Sequence, residues 1–247
     1  MSDPFSRIRL ILGEAALEKL ARSHAAVFGL GGVGGYAAEA LCRSGIGTLT
    51  VMDSDRFAES NLNRQILATR QTLGQLKTEA AAERMRLINP DCRVIPRTCY
   101  FLPETKDEFD FSQYDYVIDA VDTVTAKLAL IEACQAAGTP VISCMGTGNK
   151  LDPSALRVAD ISETSVCPLA RVMRKECQKR GIGRLKVVYS TEDPREPIAE
   201  QEKELLKESA AEGSSRRSIP GSLIFVPAAA GLLLAREAVC DLLKGLI

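Results

Sequence analysis

The stretch Met52–Gln65, MDSDRFAESNLNRQ, concentrates residue types that handle nucleotides. It lies one strand–helix unit after a glycine loop, Gly29-Leu30-Gly31-Gly32-Val33-Gly34. Glycines in such a loop let backbone N–H groups approach an anionic phosphate at a helix N-terminus. Loops of this kind serve NAD, FAD and ATP alike, and some merely pack strand on helix. Asp53 follows Gly31 by about the twenty residues expected of a ribose-binding acid, and Asp55 adds a second carboxylate. Asn61 can hold a nucleotide or orient an arginine. Arg64 can bridge phosphate oxygens and stabilise charge developing on a pentacoordinate phosphorus. Taken alone, the polar run also reads as a solvated loop with a helix cap. Carboxylates, amides and a guanidinium at one crevice suit ATP chemistry at a phosphate better than hydride transfer.

Two further segments extend the set. Lys77, in Gly74-Gln75-Leu76-Lys77, stands near the start of the following helix, where it can reach back to phosphates or remain a solvated charge. Asp119 and Asp122 end an apolar strand at the edge where doubly wound sheets bind ligands. Asp122 emerges into the loop and is the better Mg²⁺ ligand, with Asp119 structural. Magnesium usually takes one or two carboxylates plus phosphate oxygens and water. Cys167 heads a basic helix and reads as a structural thiol, or as a nucleophile activated by the helix N-terminus.

Positioning these groups requires strands that alternate with amphipathic helices. Apolar runs predict strands at Ala25–Leu30, Thr48–Asp53, Arg93–Cys99, Tyr116–Ala120 and Pro140–Met145. Between them, helices are predicted at Val33–Arg43, closed by Ser44-Gly45, and at Leu76–Ile88, stopped by Asn89-Pro90. A third covers Thr125–Ala137, with Gly138 where left-handed caps occur. Such alternation implies an α/β, Rossmann-like, doubly wound and mostly parallel sheet with helices on both faces. After Asp152 the rhythm changes. Strands at Leu156–Ile161 and Leu185–Ser190 flank the basic helix Pro168–Arg180. Thr191–Ser218 is polar, contains Pro194 and Pro197, and reads as a long flexible loop with a helical piece at Glu200–Ala211. A buried strand Ser222–Val226 leading into a buried helix Ala228–Leu243 forms the C-terminal β-strand/helix extension. No repeat or domain boundary interrupts residues 1–247, so a single domain is expected.

Composition excludes several classes. The formal net charge of −1 gives no global field for a nucleic acid or membrane, so any RNA contact must come from a local basic face. The eight cysteines include no C-x-x-C pair, which disfavours a zinc ribbon; buried reduced thiols in a cytoplasmic protein are the expectation. The N-terminus lacks the long apolar core of a signal peptide. The apolar run 222–235 contains Pro227 and Gly231 and falls short of the ~20 residues of a spanning helix, so no membrane span is expected.

GxGGxG, D-x-D, SNLNRQ, GQxK and DAxD, in that order, resemble the adenylating superfamily of ubiquitin-activating enzymes and the bacterial ThiF, MoeB and HesA proteins. The resemblance implies ATP at Gly29, Gly31, Gly32, Gly34, Asp53, Asp55, Asn61, Arg64 and Lys77, with Mg²⁺ on Asp122. Arg64, Lys77 and Asp122 then carry catalysis. Arg7, ahead of Leu12-Gly13, resembles the arginine sent across a homodimer interface to the partner's ATP. The segments Ser23–Gly29, Ala40–Gly47, Arg86–Pro90, Met145–Pro153 and Thr164–Ala170 are similar to the tRNA threonylcarbamoyladenosine dehydratase branch. That branch implies ATP-dependent cyclisation of the modified nucleoside, with 1–150 binding ATP and 151–247 facing tRNA. For Arg171, Arg174, Lys175, Lys179 and Arg180, a solvated helix face and a tRNA-backbone patch are both open. Activation of a ubiquitin-like sulfur carrier is the alternative, although this chain lacks the zinc cysteines such activators often carry. An NAD-dependent oxidoreductase would leave Arg64, Lys77 and Asp122 without roles. A monovalent cation and a cysteine-desulfurase or sulfur-relay partner complete the expectations. Where some relatives carry a cysteine before the glycine of the C-terminal segment, this chain has Ile219-Pro220-Gly221.

Overall fold

The computed structural model describes residues 3–211 and 218–247. Two short helices, α1 (Ser6–Leu12) and α2 (Glu14–Arg22), precede the alternating part. That part runs β1 (His24–Phe28), α3 (Gly34–Arg43), β2 (Thr48–Met52), α4 (Lys77–Ile88), β3 (Arg93–Arg97), β4 (Tyr116–Asp119), α5 (Val124–Ala137) and β5 (Val141–Cys144). It continues with β6 (Leu156–Asp160), α6 (Pro168–Lys179), β7 (Lys186–Ser190), α7 (Ala199–Ala211) and α8 (Phe225–Leu242). The sheet has seven strands in the order β3-β2-β1-β4-β5-β7-β6. Its pairs are parallel except β6 with β7. The order reverses between β1 and β4, the switch point at which open α/β sheets bind ligands.

Alternation along β1 explains why the sheet is covered on both faces. Ala25 and Val27 join Leu41, Leu49, Ile118 and Leu234 in one core, whereas Ala26 and Phe28 join Met52, Phe101, Phe111 and Leu130 in another. A third core places Met173 and Cys177 of α6 against Leu128, Ile131 and Val187. Pro96 lies in the edge strand β3, where a missing ladder donor is tolerated. Gly138 closes α5 with φ 70°, the left-handed cap expected.

The C-terminal segment corrects one expectation. Ser222–Val226 forms no strand; Phe225 already begins α8, an 18-residue helix. The apolar run alone could not distinguish the two forms. Pro227 decides for the helix, because it falls in the first turn, where its missing N–H has no intrahelical partner to lose. α8 crosses α3 closely at Gly231, where a Cβ would come within 2.4 Å of the Val33 carbonyl oxygen. Its far end is fastened by Asp241, which accepts from Tyr116 Oη at 2.6 Å and from Lys186 Nζ at 2.6 Å. The helical piece expected at Glu200–Ala211 is present as α7, whereas 212–217 of the expected loop lie outside the described residues. Among the described residues, no helix is long and apolar enough to cross a membrane.

α3 and α4 are joined by a buried carboxylate. Glu39, 6% exposed, accepts from Arg43 Nε at 2.8 Å and from Arg84 Nε at 2.6 Å. Burial raises its pKa, but hydrogen bonds from Arg84 and Arg43 outweigh burial and hold it below the usual value. A carboxylate lowered on folding contributes stability above its unfolded pKa and loses it as pH falls through the folded one. Glu39→Gln therefore lowers the melting temperature at neutral pH, and the gap to wild type closes below about pH 4. Thermal melts across that range check this; a gap independent of pH would refute it.

Candidate active site

The register of the central strands sets the crevice. Phe28 pairs with Met52 on one side and Asp119 on the other, so the residues that follow these three leave the sheet together. Gly29 turns away with φ 89°, and a Cβ there would meet the Ala120 carbonyl oxygen at 2.6 Å. At Gly34 a Cβ would fall 1.7 Å from the Gly29 carbonyl oxygen, so only glycine lets α3 begin against β1. A Cβ on Gly31 would meet nothing within 4 Å, which leaves open space for a phosphate beside the start of α3.

Asp53 braces this loop. Its Oδ2 accepts from the Leu30 N–H at 2.7 Å, and its Oδ1 accepts from the Asp55 N–H at 2.8 Å. Each carboxylate oxygen retains a lone pair for a ribose hydroxyl. Lys77, the first residue of α4, is only 5% exposed. Its Nζ lies 2.8 Å from Asp55 Oδ2 and 3.7 Å from Asp53 Oδ1, which rules out a solvated lysine and turns its charge toward the crevice. Asp55 is the outer partner, with half of its side chain exposed.

The SNLNRQ run carries its own hydrogen bonds, with Ser60 and Asn63 exposed. Asn61 Oδ1 accepts from the Ala58 N–H at 3.1 Å, leaving its amide Nδ2 as the group that can face a ligand. Arg64 donates from Nη1 to the Ser60 carbonyl at 2.7 Å and to Asn63 Oδ1 at 2.9 Å. Its Cγ would stand 3.4 Å from a Cβ on Gly32, so the guanidinium stem lies against the glycine loop. Gln65 Oε1 is buried without a hydrogen-bond partner among the described residues.

Two aspartates end the opposite side. Asp119 is fully buried and accepts from Lys127 Nζ at 3.0 Å, Ser143 Oγ at 2.5 Å and the Val121 N–H at 3.1 Å. It is the structural member of the pair. Asp122 is exposed in the loop before α5. Among the described residues no group of three or more His, Cys, Asp or Glu could enclose a metal. Asp122 instead suits an ion that takes one carboxylate and fills its shell with phosphate oxygens and water.

The remaining expected residues separate. Arg7 is exposed on α1, on the same short helix as Leu10 and Ile11 at 87% and 83% exposure. On α6, Arg174 is half-buried and donates to Thr164 Oγ1 at 2.8 Å, clasping the turn that leads into the helix. That contact engages a guanidinium for which the sequence leaves both a solvated face and a tRNA-backbone patch open. Lys179 pairs with Glu176 at 2.6 Å, and Arg180 pairs with Glu132 at 3.4 Å. Arg171 and Lys175 are exposed and make no ion pair among the described residues.

Cys167, at the N-cap of α6, is 1% exposed and packs among Met145, Ile161 and Ala170. A thiol enclosed this way is a core side chain. Cys167→Ala is therefore expected to retain turnover within about threefold, and to react no more slowly with a thiol reagent under native conditions. A loss beyond a hundredfold with an unchanged melting temperature would make it a nucleophile.

Comparison with known proteins covers the same ground. The ThiF family model matches residues 5–244. The tRNA threonylcarbamoyladenosine dehydratase of Bacillus subtilis is 40% identical over 245 residues, 99% of this chain and 96% of the relative. Its Escherichia coli counterpart is 41% identical over 190 residues, 74% of this chain and 71% of the relative. The crystal structure of E. coli tRNA N6-threonylcarbamoyladenosine dehydratase in complex with ATP matches with a TM-score of 0.85 and 34% identity, covering 98% of this chain and 94% of that one.

Proposed function

This chain belongs to the ThiF family, and on that premise we propose that it is an ATP-dependent enzyme that dehydrates threonylcarbamoyladenosine in tRNA by cyclisation. The observation that carries this reading is the extent of the likeness: it runs over 99% of this chain and 96% of a dehydratase, beyond the nucleotide crevice into the segment after β5. ATP is the nucleotide, in keeping with the ATP-bound relative of the same fold.

The residues divide the work. Gly31 and the start of α3 leave room for phosphates, Asp53 takes the ribose, and Asn61 offers its amide. The threonyl carboxylate attacks the α-phosphorus; the new O–P bond forms as the bond to pyrophosphate breaks. Arg64 and Lys77 stabilise the negative charge that grows on the phosphoryl oxygens. Asp122 would hold Mg²⁺ with phosphate oxygens, an ion that neutralises phosphate charge when bound. The neighbouring carbamoyl group then attacks the activated carbonyl, closes the ring and expels AMP. Because that nucleophile belongs to the substrate, ring closure is intramolecular and needs no enzyme thiol, which agrees with the burial of Cys167.

We assign residues 1–150 to ATP binding and 151–247 to the side that meets tRNA. On α6, Arg171 and Lys175 supply phosphate contacts that carry no sequence information. The exposed apolar face of α1 supports a homodimer in which Arg7 serves the partner's crevice. Free thiols among the described cysteines suit a reducing compartment, the cytoplasm. A monovalent cation and a sulfur-relay partner rest on family kinship.

The test is direct. Protein, ATP, Mg²⁺ and tRNA bearing the threonylcarbamoyl group are incubated, and the nucleosides are weighed by mass spectrometry. Loss of one water from the modified nucleoside is expected. No loss, together with ATP–pyrophosphate exchange stimulated by a ubiquitin-like sulfur carrier, would move the function to carrier activation.

A further inference from the structure

Three consecutive large apolar residues, Leu223, Ile224 and Phe225, are 40%, 37% and 56% exposed. They lie between contacts to the nucleotide crevice. Just before them, the Ser222 carbonyl accepts from Asn63 Nδ2 at 2.9 Å. Just after them, Pro227 Cβ would stand 3.4 Å from a Cβ on Gly32 of the glycine loop. Val226, between Phe225 and that proline, is fully buried and anchors the run from behind.

A second grip comes from the opposite side. The Asn149 N–H donates to the Gly221 carbonyl at 2.7 Å, and the Gly221 N–H donates to Asn149 Oδ1 at 2.6 Å. A Cβ on Gly148 would lie 2.8 Å from Pro220 Cβ, so loop and strap are in close contact. Asn149 adopts φ 60°, a region that asparagine tolerates better than most residues. Asn63 belongs to the loop after β2, and Asn149 to the loop after β5. In the sheet those strands flank β1 and β4, whose ends lead to Gly29 and Asp122. Loops from both sides of the crevice therefore meet on consecutive residues of one strap, Gly221 and Ser222.

A strap fixed at this place presents its apolar side chains to whatever occupies the mouth of the crevice, and suits a ligand with an apolar face. Enzymes that act on a base in RNA take it out of the stack and hold it against aromatic or apolar side chains. Building on the tRNA reading above, we propose that Leu223, Ile224 and Phe225 seat the substrate's extruded nucleobase beside the phosphates of ATP. Asn63 and Asn149 are positioning residues that hold this seat.

The experiment uses the full-length protein, tRNA bearing the threonylcarbamoyl group, steady-state cyclisation, ATP calorimetry and sedimentation velocity. Phe225→Ala raises KM for the tRNA about tenfold, the size of a lost base–aromatic stack, while kcat and ATP affinity stay within about twofold. Phe225→Tyr keeps the wild-type KM. Asn149→Gly permits the same φ but deletes the Oδ1 acceptor, so it melts like wild type yet shares the KM defect; Asn149→Asp keeps the acceptor and restores KM. Unchanged tRNA KM in Phe225→Ala and Asn149→Gly beside an active wild type overturns the seat alone. So does a parallel fall in ATP affinity. A smaller sedimenting species for Phe225→Ala overturns it too, giving the patch to a second copy. A wild type that cyclises no tRNA overturns the tRNA reading and the seat with it.

Discussion

Arg64→Ala is expected to lose about two to three orders of magnitude in the rate of substrate-dependent ATP–pyrophosphate exchange, the typical cost of removing one preorganised donor from a developing oxyanion. The expectation rests on how the side chain is held. Its stem lies against Gly32, and its Nη1 is tethered to the Ser60 carbonyl and to Asn63 Oδ1. The guanidinium is thus placed before substrate arrives, and little reorganisation remains for the transition state. Charge on the phosphoryl oxygens is greatest there, so the loss falls on turnover more than on nucleotide binding. Calorimetry should find ATP affinity weakened by less than about tenfold. Arg64→Lys keeps a positive charge but not the planar fork, and recovers only part of the rate. Exchange within threefold of wild type for Arg64→Ala would remove Arg64 from the chemistry.

What could be read from the sequence follows from which contacts are local. Gly29 to Gly34, Asp53 and the alternation of strands with helices depend on neighbours in the chain or on strict spacing, and the structure has them where the pattern puts them. Lys77 was legible only as one of two alternatives, because its burial depends on Asp55, 22 residues earlier. Arg174 looked like any other basic residue on α6; its bond to Thr164 arises from a turn that helical periodicity does not encode. The strap is ambiguous in sequence for a similar reason. An apolar run of that length fits strand or helix, and the partners that fix it, Asn63 and Asn149, are 159 and 72 residues from the backbone groups they hold. Lys127 shows the limit most plainly: nothing in VTAKLALIEA marks one lysine as internal, yet it is 1% exposed.

That lysine gives the largest expected effect on stability. Lys127→Met keeps the volume of the side chain and removes its charge, leaving Asp119 fully buried with its cationic partner gone. Breaking a buried ion pair from one side typically costs about 3–5 kcal/mol. For a chain of this size each kcal/mol moves the melting temperature by roughly 2–4 °C, so a fall of about 10 °C is expected by scanning calorimetry. Ser143 softens the loss without cancelling it, since its hydroxyl already donates to the same carboxylate oxygen that Lys127 engages. The comparison that separates a stranded charge from a packing defect is Lys127→Met with Asp119→Leu. Replacing both partners by apolar groups removes the uncompensated charge, so the double variant should melt above Lys127→Met. Its activity should not follow its stability. Asp119 Oδ1 accepts from the Val121 N–H, one residue before Asp122, so the double variant loses the brace of the loop that carries Asp122 even where it regains the fold. A double variant that recovers melting temperature and turnover together would show that Asp119 braces nothing. One that melts below Lys127→Met would show that the buried charge was never the source of the defect.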